Sequence, residues 1–176
     1  MKHYILIILL LLSNVIVAQK KTTIHILNAD KADYDERLGK DVQRLIGNVV
    51  MRQDSTYFYS DSAYYNERTK FFDGFGNVHI NVNDSVNIYS KLLKYDGETK
   101  FAELFHDVIL KDDSTTLNTQ YMTYDRVGHL ATYPNNGTIT RNDKKLVSKK
   151  GYYRDDIKVL YFRKDVVGTM PDYKIV

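Results

Sequence analysis

The chain has no cysteine, no tryptophan and only two prolines in 176 residues. Without cysteine there is no disulfide scaffold, no thiolate metal site and no cysteine nucleophile. Charge of one sign is also lacking. The 25 basic and 22 acidic residues are interspersed and leave a formal charge of +3, too slight to imply a nucleic-acid partner. The one dense basic group, Lys144, Lys145, Lys149 and Lys150, reads as a solvated face. What is present is 43% hydrophobic residues and fifteen tyrosines. That composition suits one globular domain with enough chain to bury a core, and it favours strands. It excludes collagen-like and low-complexity chains.

Residues 1–18 read as a secretory signal. Lys2 and His3 supply a short polar start, Ile5 to Leu12 an unbroken aliphatic run, and Ile16-Val17-Ala18 a cleavage region. The run is short of the ~20 apolar residues that span a bilayer, and an uncleaved anchor is the alternative. The domain is then expected over residues 19–176.

Residues 19–176 repeat. Tyr34, Tyr65, Tyr95, Tyr124 and Tyr153 recur at spacings of 31, 30, 29 and 29. Five residues before each stands a small residue: Ala29, Ser60, Ser90, Thr119 and Ser148. Two before that stands an apolar one: Leu27, Phe58, Ile88, Leu117 and Leu146. Further on, an aliphatic residue opens another strand at Val49, Val78, Val108, Ile139 and Val166, often after a turn-like pair such as Gly47-Asn48, Gly76-Asn77 or His106-Asp107. Columns held over five copies identify a repeat architecture.

Within a unit, Val78 to Asn83 alternates apolar and polar residues, the period of a half-buried strand. Gln53-Asp54-Ser55, Asn83-Asp84-Ser85 and Asp112-Asp113-Ser114 supply turns, as does Asp96-Gly97. The apolar and small columns share one parity, whereas the next apolar column and the tyrosine share the other. A corner or bulge between them would turn both sets inward, and a tight corner explains the small residue. The expectation is an all-β protein of about four and a half stacked strand units, each burying a face that one unit cannot bury alone. A half unit at each end implies either a fragment of a longer array or ends that pair with a partner.

Ala29-Asp30-Lys31-Ala32-Asp33-Tyr34 resembles the Ala-Asp-x-Ala-x-Tyr signature of the OstA-like family, and Gly47-Asn48-Val49 and Gly76-Asn77-Val78 resemble its Gly-x-Val strand starts. The similarity covers roughly residues 24–176 and fades in the last copy, at Ser148 to Tyr153. The family includes the periplasmic lipopolysaccharide-transport protein A and the N-terminal domain of its outer-membrane partner, lipopolysaccharide-transport protein D. The resemblance implies a twisted β-jellyroll, a periplasmic location, and a non-enzymatic role without cofactor. In that role an apolar groove shields lipid A acyl chains, and domains join end to end with copies of themselves or with other OstA-like domains. Candidate groove residues are Met51, Phe58, Ile80, Ile88, Leu110, Leu117 and Leu146, with Lys91 and Lys149 as rim lysines.

Other chemistry finds little support. No histidine pair has ligand spacing. Asp30, Asp33 and Asp35 cluster without the glycine and spacing of a calcium loop. There is no nucleophile elbow or phosphate-binding loop. The alternative to a lipid carrier is a structural or adhesive surface β-solenoid, which differs in predicting a sealed core.

Overall fold

The computed structural model describes residues 23–34, 37–113, 115–142, 144–170 and 173–175. The signal segment, Asp35 and Ser114 lie outside them. Among the described residues fifteen strands form one antiparallel sheet. β1 (His25–Asn28) and β2 (Lys31–Tyr34) both pair with β3 (Val42–Gln53). Five more long strands follow by hairpins: β4 (Thr56–Asn66), β5 (Phe71–Val82), β6 (Val86–Asp96), β7 (Phe101–Asp112) and β8 (Thr115–Asp125). Beyond them come β9 (Leu130–Tyr133), β10 (Gly137–Arg141), β11 (Lys144–Ser148), β12 (Lys150–Arg154), β13 (Val159–Arg163), β14 (Val167–Met170) and β15 (Tyr173–Ile175).

The six long strands β3–β8 bend at mid-length, and the sheet folds in two along that line. The order through one half is β1-β3-β4-β5-β6-β7-β8-β10-β11-β14-β15. Through the other, β2 pairs β3, and β8 continues to β9, β12 and β13. The halves face one another: the Phe58 ring of the first lies 4.6 Å from Tyr95 and 5.1 Å from Phe72 of the second.

The bend has a local cause. Gly47-Asn48, Gly76-Asn77 and His106-Asp107 each put two successive residues at positive φ, which gives β3, β5 and β7 one extra residue at the corner. The pairing shifts between Ile46 and Val49, Phe75 and Val78, and Phe105 and Val108, as a β-bulge does. Each pair was expected to open a new strand. Instead the strand runs through it. Gly47 and Gly76 are needed both for φ and for space, since a Cβ there would collide with the carboxylates of Asp30 and Asp61. Those carboxylates accept hydrogen bonds from the neighbouring Asn48 and Asn77 amides at 2.9 and 3.0 Å.

On β4, β6 and β8 the corner falls at the small column, as the parity change predicts. The hydroxyls of Ser60, Ser90, Thr119 and Ser148 each donate to the carbonyl two residues on, at 3.0 to 3.3 Å. Thus the column is small and hydroxylated: at the bend the side chain satisfies a carbonyl near the interrupted ladder. Two columns depart from expectation at the first copy, where Leu27 and Tyr34 are exposed rather than core, Tyr34 at 62%. They lie in β1 and β2, which among the described strands pair only with β3 and so stand at the sheet edge.

Candidate functional site

The residues singled out as a groove form one continuous row. Met51 pairs with Phe58, Phe58 with Ile80, Ile80 with Ile88, Ile88 with Leu110, and Leu110 with Leu117. Leu117 pairs with Ile139, Ile139 with Leu146, and Leu146 with Gly168. Period-two alternation on each strand points these positions inward, and the hairpin turns hold them in register. Ile139 completes the row and was not among the groove candidates.

Facing it is a second row, of which the sequence marks only the four tyrosines, as core: Tyr65, Phe72, Tyr95, Ala102, Tyr124, Ala131, Tyr153 and Leu160. Large and small residues alternate between Tyr95 and Tyr153, so the rings interleave with the alanines. Burial pushes the Tyr95 hydroxyl up to about 12. It also raises those of Tyr124 and Tyr153, which in addition donate to the carboxylates of Asp155 and Asp112.

Through the body the two rows meet and leave no open groove. Met51, Phe58, Ile80, Ile88, Leu110 and Leu117 are between 0% and 2% exposed. Leu146, near the C-terminal end, is only half-buried. There Ile139, Leu146, Val159, Leu160 and Phe162 line a cleft of about 350 Å³, with Arg141, Lys144 and Lys158 at its rim.

Opposite the corners, the hairpin turns of the two halves meet along a seam. Among the described residues no backbone ladder crosses it, and side chains do instead. In one cluster the Gln53 amide donates to the Gly97 carbonyl at 2.7 Å, and the Tyr95 hydroxyl donates to Gln53 Oε1. Arg126 donates to Gln53 Oε1 at 2.8 Å and to the Tyr95 hydroxyl, and lies against the Phe58 ring. Lys100 pairs with Asp54 at 2.7 Å beside them. In the second cluster the fully buried Asp112 carboxylate takes the Tyr153 hydroxyl and Lys158 Nζ, the latter at 2.6 Å to both oxygens. Arg141 adds a bond to the Lys158 carbonyl at 3.0 Å.

None of these seam residues was a sequence candidate for function. The available signal was polarity at an inward position. Gln53 and Asp112 occupy the place that Val82 fills in the intervening unit, two residues after Met51, Leu110 and Ile80 respectively. The rim lysines lie elsewhere: Lys91 and Lys149 stand at the corner line, away from the seam, with Lys149 paired to Asp165. Two members of the acidic cluster, Asp30 and Asp33, hold neighbouring side chains. Asp30 holds Asn48, and Asp33 takes a two-pronged bond from Arg44 at 3.0 and 2.9 Å, which keeps its carboxyl below the ordinary range.

A folded-over antiparallel sheet of bent hairpins, with a continuous apolar interior and a side-chain seam, defines an all-β protein built around a linear core. The chain belongs to the family described as OstA-like protein, whose model matches residues 21–176. Among solved structures it is similar to LptH, the LptA-homologous periplasmic component of the lipopolysaccharide transport device of Pseudomonas aeruginosa. That match has 13% identity, covers 88% of this chain and 94% of that one, and has a TM-score of 0.32. No curated protein matches the chain in sequence.

Proposed function

We infer that the chain is a periplasmic component of lipopolysaccharide transport, and that its interior shields lipid A acyl chains without catalysing a reaction. Residues 1–18 are removed on export, and residues 19–176 act as one repeat array that joins end to end with other OstA-like domains. Membership of the OstA-like family supports the transport role. The observation that carries the reading is the unbroken inward row from Met51 to Leu146, which crosses the sheet from β3 to β11 and is half-open at the Leu146 end. Each methylene taken from water into such an interior is worth about 0.8 kcal/mol, so acyl chains need cover of this kind to cross an aqueous space. Among the described residues no strand ladder crosses the seam, so it can part without breaking one.

One observation favours the surface-solenoid reading: the row is sealed from Met51 to Leu117. A photo-crosslinking residue at Leu117, in the exported protein of cells that make lipopolysaccharide, separates the two, with outward Asn81 as control. An adduct at Leu117 and not at Asn81 is expected. Adducts at neither, with the protein folded and exported, would sink the carrier reading and leave the solenoid.

A further inference from the structure

We propose that the outward face of the second half of the sheet, over β3–β8, is a contact between two copies of this chain packed face to face. The contact is separate from the carrier reading and from end-to-end joining, because it uses the faces of strands and leaves both sheet edges free.

Six outward positions there follow one another across the ladder: Ile46, Ser62, Phe75, Leu92, Phe105 and Tyr121. Five are aliphatic or aromatic, and none of the six is buried. The water-facing side of an antiparallel sheet is ordinarily polar, so a contiguous apolar row marks an interaction surface. The one small member, Ser62, leaves a hollow of about 410 Å³ that Ile46, Tyr64 and Phe75 also line. The next outward row is Arg44, Tyr64, Asp73, Lys94, Glu103 and Thr123. Arg44 is bonded to Asp33, and Glu103 accepts from the Tyr121 hydroxyl at 2.7 Å. Asp73 and Lys94 stand opposite each other at the centre, and neither has an ion pair or side-chain hydrogen bond within the chain.

Both rows complement themselves when reversed, which is why the occupant is a second copy. A two-fold axis along the strands, between β5 and β6, lays one face on the other with the strand order inverted. Asp73 of each copy then meets Lys94 of the other, Tyr64 meets Glu103, and Phe75 meets Leu92. Phe105 of each copy stands over Ser62 of the other, where the hollow receives its ring. Symmetry makes every one of these contacts twice. Six strands ~4.8 Å apart and two rows ~6.8 Å apart outline roughly 400 Å² per copy, which sets the pair at the small, reversible end of specific interfaces. Sheet twist carries the outer strands away from the axis, so the central Asp73 and Lys94 are the most sensitive positions.

The test is sedimentation equilibrium of the purified exported chain at several concentrations. A closed, reversible dimer is expected. Asp73→Lys and Lys94→Asp each set like charges against one another across the axis, and each should weaken the dimer about ten-fold or more. An equimolar mixture of the two variants should recover it, since each then meets the opposite charge on the other. Recovery on mixing cannot come from a change of folding within one chain. Leu92→Arg should weaken the dimer too. In cells, a photo-crosslinking residue at Phe75 should join two copies of the chain. A monomer at every concentration overturns the proposal, as does a dimer that neither charge reversal moves or that mixing does not restore. Open-ended growth untouched by both reversals is end-to-end joining, which leaves the proposed function standing and removes this contact. An adduct at Phe75 to a lipid or to a different protein gives the face another occupant and also overturns the proposal.

Discussion

Lys158→Met tests whether the seam is held as described. The Asp112 side chain has no exposure and its charge is met by two groups, the Tyr153 hydroxyl and Lys158 Nζ. Removing the ammonium leaves a buried carboxylate with one neutral donor. Breaking a fully buried pair typically costs about 3–5 kcal/mol, but the Lys158 side chain is 44% exposed. Water can reach the vacated place, so the figure is discounted to about 2 kcal/mol, within the range for a hydrogen bond to a charged group. With a urea slope of about 2 kcal/mol/M, the unfolding midpoint should fall by roughly 1 M. Asp112→Asn alone should cost less, because the amide oxygen still accepts from Tyr153. The double variant should be more stable than the sum of the two losses implies, by about 1 kcal/mol or more. Strictly additive effects, or an unmoved midpoint in Lys158→Met, would refute the claim that this pair holds the halves together.

The corner makes a second expectation. Gly76→Ala should cost more than about 1 kcal/mol, from positive φ and the collision with Asp61 together, and adding Asp61→Ala should recover part of it in the same urea assay. Ser90→Ala should cost about 1 kcal/mol through the bond lost to the Leu92 carbonyl. Leu117→Ala, at zero exposure in the middle of the inward row, should cost about 3–5 kcal/mol, and a loss under about 1 kcal/mol would mean that the row is not packed. Stability should fall as pH rises above the free tyrosine value near 10. Tyr95 titrates at about 12 in the fold, so the unfolded chain loses its proton first, and Tyr124 and Tyr153 act in the same direction. Tyrosinate absorbance followed alongside circular dichroism checks this. Ionisation of these rings near pH 10 without unfolding would contradict their burial.

The all-β class and the inward row were legible because successive strands report the same parity. Met51, Phe58, Ile80, Ile88, Leu110 and Leu117 needed only alternation and register to be found. The continuity of each strand through Gly47-Asn48 or Gly76-Asn77 was not legible, since two residues at positive φ read locally as a turn and only the partner strand makes them a bulge. Leu27 and Tyr34 fit their columns yet are exposed, because a column does not say which strand stands at the edge. Arg126 could not be placed from sequence at all: its partner Gln53 is 73 residues away, across a seam whose alignment depends on how far the sheet twists.

That twist fixes a stagger. Gln53 meets Tyr95 across the seam at a separation of 42 residues, and Asp112 meets Tyr153 at 41. The two clasps are the same contact repeated two units along, like successive buttons on a spiral placket. A hairpin inserted or deleted within the array would leave the strand ladder satisfied and yet mate each tip with the wrong opposite number. Length is therefore counted by the seam and not by the sheet. The smallest piece of this architecture able to close on itself is longer than one repeat, because a lone hairpin has nothing within its own span to fasten to.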